Sequence, residues 1–255
     1  VEGQKGHGLS RVESYSAQSK SGKVDGHATP HVTKVGEAAL RIDARHGFAF
    51  PAFELAVKEL SNLTPKTGIA ADVITNSHHC GILGYHAERL AQQGMVTLVF
   101  SNSPKAMAPW GGKDPVFGTN PIAFAAPRKN QDPLVIDLSL SKVARGKIKV
   151  ACEEKKPIPE GWALDVDGYP TTDAEAAMSG TMVPMGGPKG AALALMVEIL
   201  SAALGASHFG FEASSFFTAD GPSSDIGQMI ITIAPGPFSK HRFYDRIETL
   251  ICAIL

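Results

Sequence analysis

The chain has 255 residues, with 24 basic and 25 acidic side chains and a formal net charge of −1. This balance argues against nucleic acid or an anionic membrane as the main partner, because both are bound through a basic surface. The length is enough for one or two domains with a sizeable core and no disulfide or metal staples.

The first half of the chain alternates predicted helices and strands. A helix is expected from about Leu9 to Lys20, and another over Phe50 to Leu60, where apolar residues recur at helical spacing. A third helix is expected from His86 to Gln93, with Gly94 as its cap. Strands are expected at residues 38–43, 68–75 and 95–101, and the second of these is rich enough in β-branched residues to be buried.

The second half is less regular. Pro and Gly recur every few residues between 102 and 127, around a β-like run at 122–126. The clearest helix, at 189–204, is apolar on almost every side and is therefore expected to be buried. The remaining expectations are strands at 134–140 and 229–234, a helix or strand at 144–151, a loop at 157–173 and a helix at 242–255. This alternation predicts an α/β or α+β fold with a mixed sheet.

The three cysteines, Cys80, Cys152 and Cys252, are far apart and form no C-x-x-C pair. This favours a reduced, cytoplasmic setting over a disulfide framework. The longest apolar stretch, at 191–206, is interrupted by Glu198 and is too short to span a bilayer, so no membrane partner is expected. Because the chain opens on Val1 and stops on an apolar run, we expect native sequence beyond both ends.

Several familiar catalytic patterns are missing from the sequence. There is no G-x-G-x-x-G after a predicted strand and no G-x-x-x-x-G-K-[ST], so a Rossmann dinucleotide fold is not supported. The G-x-S-x-G elbow and the H-E-x-x-H zinc motif are also missing.

His7 and Arg11 form the first positive signal. They are four residues apart, so on a helical turn they share a face. The planar fork of Arg can hold a carboxylate at two points, and a His beside it can exchange a proton near neutral pH. This pair suits a 2-oxo or 2-hydroxy acid. The alternative is a solvated helix start with a surface His and Arg.

The second signal is the polar segment 76–81 between a predicted buried strand and a helix. Such a unit brings side chains and helix N–H groups to the carboxyl edge of a sheet, where ligands bind. His78, His79 and His86 could instead indicate zinc, although their spacing with Cys80 matches no common zinc pattern. A turn with one buried His is the third interpretation.

Three glycine-containing segments form the remaining signals, at 110–112, 118–121 and 184–190. Glycines let backbone approach a ligand, and Thr119 and Asn120 offer hydrogen bonds. In the last segment Lys189 stands at the start of a helix, where free N–H groups attract phosphate or carboxylate. Each segment could equally be a set of tight turns.

Taken in order, these motifs resemble the malate/L-lactate dehydrogenase family of NAD(P)-dependent enzymes, which also includes sulfolactate dehydrogenases and the piperideine/pyrroline-2-carboxylate reductases. The resemblance runs from about Gly6 to the region of Asp245. It rests on GHGLSR, NSHHCG, APWGG, FGTNPIAFAAP, DLSLSKVARGKI, IPEGWALDVDGYPTTD and PMGGPKGAALALMVEIL.

The resemblance implies a non-Rossmann mixed-sheet fold, a homodimer, and NAD or NADP bound with a small 2-oxo or 2-hydroxy acid in one cleft. His7 would be the proton donor or acceptor and Arg11 the carboxylate clamp, with Thr119, Arg145 and Gly146 near substrate. Residues 71–205 would form the cofactor-binding part, and 1–70 with 206–255 the substrate and dimerisation part. The implied cofactor contacts are His79, Cys80, Gly81, Ile82, Leu83, Asp137, Leu138, Ser139, Lys189 and Gly190.

Two departures bear on the substrate. The family usually has Ser before the catalytic His, where this chain has Gly6, and the imino acid reductases have Asp in a charge relay where this chain has Lys147. Both favour hydride transfer to a 2-oxo acid, with reduction of a cyclic imino acid as the alternative. A non-catalytic metal-binding protein is the remote alternative. The choice of NAD or NADP stays open, with Arg128, Lys129 and Lys142 as candidate 2′-phosphate contacts.

Overall fold

A computed structural model describes residues 7–254 of the chain, apart from the side chain of Ser10. Seven strands form one mixed sheet in the order β1-β2-β3-β10-β4-β5-β6, and three short strands form a second sheet in the order β8-β7-β9. The strands are β1 His31–Gly36, β2 Ala39–Asp43, β3 Ile69–Ser77, β4 Val96–Ser101, β5 Ile122–Ala126, β6 Leu134–Leu138, β7 Ala163–Leu164, β8 Pro170–Thr171, β9 Thr181–Met182 and β10 Ile226–Ile233.

Eight α-helices accompany these strands among the described residues. They are α1 Val12–Lys20, α2 Ala49–Thr67, α3 Leu83–Ala91, α4 Arg145–Glu153, α5 Ala174–Ser179, α6 Pro188–Glu198, α7 Pro235–Ser239 and α8 Phe243–Ile254. A 3₁₀ turn at Leu9–Arg11 leads into α1, and a π-helical turn at Ile199–Ala203 continues α6. None of the helices in the described part of the chain has the length and apolarity needed to cross a bilayer.

Helices cover both faces of the large sheet, and successive strand residues point to opposite faces. On one side α2 and α3 pack through Phe53, Leu60 and Leu90 against the sheet residues Ile74 and Ile230. On the other side, α6, α4 and the small sheet cover residues such as Phe100 and Met229. Strands β2 and β3 are parallel and joined through α2, whereas the other neighbouring pairs of this sheet are antiparallel. The expected mixed α/β fold is therefore confirmed.

Most predicted elements are present, with three differences. His31–Gly36 forms an edge strand that the polar sequence did not reveal, because nearly all of its residues are exposed. The predicted loop at 157–173 contains β7 and β8, and the ambiguous segment at 144–151 is the helix α4.

The expectation that the helix at 189–204 is buried is wrong. One face of α6 packs in the core through Ala194 and Val197, but the opposite face leaves Leu195 and Ile199 about half exposed, at 50% and 49%. An all-round apolar sequence therefore indicated the helix but not its burial, because nothing in the described part of the chain covers its outer face.

β10 lies between β3 and β4 in the sheet, although more than 120 residues of chain separate it from each of them. Its first residue, Ile226, is opposite Ser77, the last residue of β3. The segment that precedes β10 must therefore cross the edge of the sheet where residues 78 and 79 leave β3. Strands from both proposed parts share one sheet, and the division at 71–205 stays a prediction.

Lys23 fastens the end of α1 to this preceding segment. The side chain is buried, and its Nζ donates to the carbonyl oxygens of Ser215 at 2.6 Å, Thr218 at 3.1 Å and Asp220 at 3.1 Å. Gln18 of α1 adds a bond from Nε2 to the Phe216 carbonyl at 2.8 Å. The loop of residues 214–220 is thus docked on α1 by side chains nearly two hundred residues away in sequence.

We expect Lys23→Met to release the 214–220 loop, because three partly buried carbonyl groups lose their cationic donor, at a cost of about 1–3 kcal/mol. Cleavage by chymotrypsin after Phe216 and Phe217 should become faster than in the wild type. Lys20→Met, the same change at an exposed lysine three residues earlier, is the matched control. Equal cleavage of the Lys23 variant and the control would contradict the assignment.

Asp72 is a buried carboxyl group in an apolar layer. It is fully buried on β3, its register partners are Leu40 and Ile230, and neither oxygen has a hydrogen-bond partner among the described residues. Burial raises the pKa of Asp72 to about 8 from an ordinary 3.8. The native state therefore holds this proton more tightly than the unfolded state does.

It follows that Asp72 lowers stability progressively as pH rises from about 4 to 8, by up to about 1.4 kcal/mol per pH unit. Asp72→Asn should remove this dependence, so the free energy of unfolding of the variant, relative to that of the wild type, should increase as pH rises across that range. Denaturant titrations at pH 5 and pH 8 measure the difference, with the exposed Asp132→Asn as control. A variant that gains nothing at pH 8 would refute the expectation.

Candidate active site

His7 and Arg11 are brought together at the start of the first helix. The chain turns at residues 8–11, where the Arg11 N–H donates to the Gly8 carbonyl at 2.9 Å. The His7 ring is exposed on one side and stacked on His79 on the other, with ring centroids 5.3 Å apart. Burial on that side and the Arg11 charge lower the pKa of His7, while Asp137 opposes the shift. The sequence spacing thus marks a real cluster.

His79 lies beneath His7, with its ring stacked on the His7 ring. Its Nδ1 is hydrogen-bonded to the hydroxyl of Tyr15, and burial together with the charges of His7 and Arg11 holds its pKa well below the ordinary value. Burial also raises the pKa of Tyr15 to about 12. The Tyr15 and His79 pair is therefore neutral across the physiological range.

The 214–220 loop closes the other side of this cluster. Phe216 packs edge-on against His79, with ring centroids 5.2 Å apart, and Phe217 lies under the Arg11 guanidinium at 4.8 Å. Such cation–π contact fixes a guanidinium without consuming its N–H donors. The fork of Arg11 is oriented by an aromatic ring from the far end of the chain.

The predicted segment 80–83 and Asp137 meet at the start of α3. The Asp137 carboxylate accepts the Gly84 N–H at 2.7 Å, and a Cβ at Gly84 would lie 3.0 Å from the Cβ of Asp137. Cys80 is completely buried, which raises the pKa of its thiol to about 12, with the charge of Asp137 acting in the same direction. Cys80 is thus a packed, protonated thiol, and β6 is bound to the N-terminus of α3.

Thr119 lies on a second group of segments. Its N–H donates to Ser103 Oγ at 3.0 Å, and its carbonyl accepts from the Leu140 N–H at 2.8 Å. The Leu140 carbonyl in turn accepts from the Met185 N–H at 2.8 Å. The stretch from Asp137, whose charge acts on His7, to Leu140 therefore connects the His7 cluster to Thr119 and to the segment that begins α6.

The two glycine-rich segments also meet. A Cβ on Gly187, which has φ +64°, would be 3.2 Å from the Trp110 ring, and one on Gly190 would be 1.9 Å from the Met185 carbonyl oxygen. Only glycine allows this compact entry into α6. Lys189 is exposed on the first turn of the helix, where the first backbone N–H groups have no partner one turn earlier in the helix.

Arg145 and Gly146 belong to α4, and the hydrogen bond of Arg145 runs to the Met178 carbonyl at 3.0 Å, in α5. The structure therefore joins them to α5 rather than to His7 or Thr119 by hydrogen bonding. Lys147 is exposed on the same helix, and Gly6 lies outside the described residues.

The candidate 2′-phosphate contacts are placed differently from one another. Arg128 is held by Glu248, with Nη2 to Oε2 at 2.8 Å and Nε to Oε1 at 3.1 Å, and Lys129 lies 3.6 Å from Asp245. Both cations thus face α8, whereas Lys142 is exposed beside residue 161.

The three histidines of the metal hypothesis point to different partners. His78 Nε2 is 2.9 Å from Gln18 Oε1, and His86 Nε2 is 2.9 Å from the Cys80 carbonyl oxygen. Within residues 7–254, no three His, Cys, Asp or Glu side chains are placed to share a metal ion. The arrangement favours packing roles for these rings.

Sequence reasoning missed Tyr15 and the 214–220 loop. Tyr15 is four residues after Arg11 and eight after His7, so the same helical spacing could have indicated it. Phe216 and Phe217 carried no such signal, because their contacts arise only from the path of the chain into β10.

Comparison with known proteins agrees with these motifs. Residues 1–255 match the family described as malate/L-lactate dehydrogenase. The chain is 54% identical to (2R)-3-sulfolactate dehydrogenase (NADP(+)) of Chromohalobacter salexigens, over 98% of this chain and 74% of that protein. It is 41% identical to the Δ1-pyrroline-2-carboxylate/Δ1-piperideine-2-carboxylate reductase of Pseudomonas putida, again over 98% and 74% of the two chains.

A solved structure gives the same result for the fold. The Δ1-piperideine-2-carboxylate reductase of Pseudomonas syringae superimposes with a TM-score of 0.91 at 39% identity, over 97% of this chain and 75% of that one. Because the family matches along the whole sequence and relatives above 30% identity cover nearly all of it, the chain belongs to the malate/L-lactate dehydrogenase family.

Proposed function

We propose that this protein is an NAD(P)-dependent oxidoreductase that transfers a hydride between a nicotinamide cofactor and a small 2-oxo or 2-hydroxy acid. The observation that carries the proposal is the cluster of His7, Arg11 and His79, in a chain that belongs to a dehydrogenase family. The sulfolactate dehydrogenase relative supports a 2-hydroxy acid as substrate.

Arg11 binds the substrate carboxylate. Its guanidinium offers a planar pair of N–H donors and is oriented by Phe217. With the carboxylate held there, the adjacent carbonyl carbon of the substrate lies in a fixed orientation, which is worth several kcal/mol of activation free energy in general. Thr119 is the further substrate contact, and Arg145 and Gly146 are proposed as contacts on the family resemblance alone.

His7 exchanges the proton. In the reductive direction the carbonyl carbon gains the hydride, and the carbonyl oxygen takes a proton from His7, which is then reprotonated by solvent. His79 beneath it is neutral, so it supports the ring without competing for the proton. In the oxidative direction neutral His7 removes the hydroxyl proton.

The residues on the opposite side fit a nicotinamide dinucleotide. Lys189, Gly190 and the first N–H groups of α6 provide the positive end that a diphosphate requires. The backbone at 186 and 187 has positive φ values, and a Cβ at Gly186 would meet no atom within 4 Å, so space is open there. When bound, the cofactor supplies the hydride. The other proposed contacts are His79, Cys80, Gly81, Ile82, Leu83, Asp137, Leu138 and Ser139.

Reduction of a cyclic imino acid is the second candidate, favoured by the likeness to the two reductases. The same Arg11 clamp would serve, with a ring nitrogen in place of the carbonyl oxygen. Lys147 is exposed on α4, at the position where the family resemblance implies Asp for imino acid reductases, and this departure favours the 2-oxo acid.

We further propose a cytoplasmic homodimer. The exposed apolar face of α6, with Leu195 and Ile199, supports burial against another chain, since a patch of this kind marks an interface. NADP is the preferred cofactor in this proposal, by analogy with the sulfolactate dehydrogenase.

A substrate panel tests the function. Oxidation of NADH and NADPH is followed by absorbance with pyruvate, oxaloacetate, sulfopyruvate and piperideine-2-carboxylate. We expect turnover of at least one 2-oxo acid and faster reaction with NADPH. Turnover of the imino acid alone would select the second candidate, and no turnover with any of the four would contradict both.

His7→Ala should lower kcat by roughly 10²–10⁴-fold while the Kd for NADPH changes little, because only the proton donor is removed. A fully active variant would refute the assignment.

The lowered pKa of His7 sets the sign of the pH dependence. Reduction needs protonated His7, so the kcat/KM for reduction should fall as pH rises through a midpoint below about 6.5, whereas the kcat/KM for oxidation should rise across the same range.

A further inference from the structure

Glu198 is a buried carboxylate that the proposed chemistry does not use. It ends α6, and the residue is 3% exposed. Its Oε1 accepts from Asn120 Nδ2 at 3.0 Å, and its Oε2 accepts from Asn102 Nδ2 at 3.2 Å and from the Gly210 N–H at 3.2 Å. The backbone N–H of Gly118 also lies near the carboxylate and lowers its pKa, as these three donors do.

All four groups around Glu198 are N–H donors, which is the environment an ionised carboxylate requires. Burial raises the pKa of Glu198, and the four donors act against that rise. A charged acceptor makes each of these bonds stronger than a neutral one would. The carboxylate therefore binds its surroundings more firmly than an amide in the same place could.

The four donors come from three separate stretches of chain. Asn102 follows β4, Gly118 and Asn120 precede β5, and Gly210 lies in the segment that leads to β10. These stretches approach so closely that a Cβ on Gly118 would be 2.1 Å from the Ser103 carbonyl oxygen, and one on Gly210 would be 2.9 Å from the Gly118 nitrogen. Glu198 is the common acceptor at their meeting point.

Thr119 lies between two residues that Glu198 holds. Asn120 on one side donates to the carboxylate, the Gly118 N–H on the other side lies near it, and Asn120 has a left-handed backbone with φ +41°. Asn120 Nδ2 also donates to the Ala194 carbonyl of α6 at 3.0 Å. The position of the Thr119 hydroxyl thus depends on both neighbours remaining attached to α6.

We propose that Glu198 is a positioning residue for the substrate side of the cleft, which fixes Thr119 and the approach of the 207–213 segment by accepting three hydrogen bonds at once, beside the Gly118 N–H. The inference rests on the proposed function, since Thr119 is a substrate contact only under that function. Glu198 itself touches neither substrate nor cofactor in this proposal.

Glu198→Gln is the test. The amide NH₂ that replaces one oxygen faces N–H donors, so one group of partners loses its acceptor. We expect the KM for the best acid of the panel to rise by roughly tenfold or more, because a buried unpaired donor and a misplaced contact each have effects of that size. The Kd for NADPH, measured by fluorescence titration, should stay within about twofold.

Two controls separate positioning from loss of fold. Glu212→Gln makes the same chemical change in the 207–213 segment that Glu198 contacts. Glu212 is an exposed carboxylate that accepts the Phe209 N–H at 2.9 Å, and its replacement should leave the substrate KM unchanged. Val57→Ala, in the core of α2, destabilises the protein far from the cleft. A wild-type substrate KM in Glu198→Gln would overturn the proposal, as would parallel losses of substrate and NADPH binding like those of Val57→Ala.

If Glu198→Gln does not fold, Asn102→Ser removes one of the donors to Glu198, together with the Asn102 bonds to the His208 carbonyl and the Gly227 N–H, and should raise the substrate KM in the same direction, by roughly threefold. An unchanged KM would overturn the proposal.

If the wild type turns over none of the panel acids, the proposed function fails, and Glu198 is tested by hydrogen exchange. The Gly118 and Gly210 amides should exchange at least about tenfold faster in the folded variant while those of α2 do not change. Unchanged exchange would refute the positioning role independently of the function.

Discussion

The central constraint on this molecule is the insertion of a late strand into the middle of an early sheet. β10 is hydrogen-bonded along its length to both β3 and β4, and its first residue faces Ser77. The chain can reach that point only by passing the end of β3, where His78 and His79 begin the loop to α3. The position of the 214–220 loop over the His7 cluster is therefore a consequence of sheet pairing. A strand pair separated by about 150 residues assembles the site.

That constraint explains why the buried side chains of Lys23, Gln18 and Glu198 bind backbone groups of the segment before β10. Lys23 and Gln18 bind carbonyls of the 214–220 loop, and Glu198 binds the N–H of Gly210. A loop that must run across the sheet edge has no ladder to satisfy its own backbone, so side chains from α1 and α6 supply the partners. Lys23, three residues after α1, binds the carbonyls of residues 215–220 as a cation, and Glu198, at the end of α6, binds the Gly210 amide as an anion.

Burial also sets the electrostatics of the site. His79, Tyr15 and Cys80 all lie in surroundings that favour their neutral forms. In the proposed function, Arg11 attracts a substrate carboxylate above these neutral groups, which offer it no alternative basic partner. His7 is exposed, and we propose that it exchanges a proton with both substrate and solvent.

The sequence by itself determined the alternation of helices and strands, the mixed sheet, the family and the pairing of His7 with Arg11, because these depend on local periodicity and on ordered motifs. Tertiary structure decided the rest. The exposure of α6, the docking of Phe216 and Phe217, and the convergence of Asn102, Asn120 and Gly210 on Glu198 all depend on contacts between residues far apart in the chain. Local patterns carry no information about such contacts, since they follow from where β10 enters the sheet.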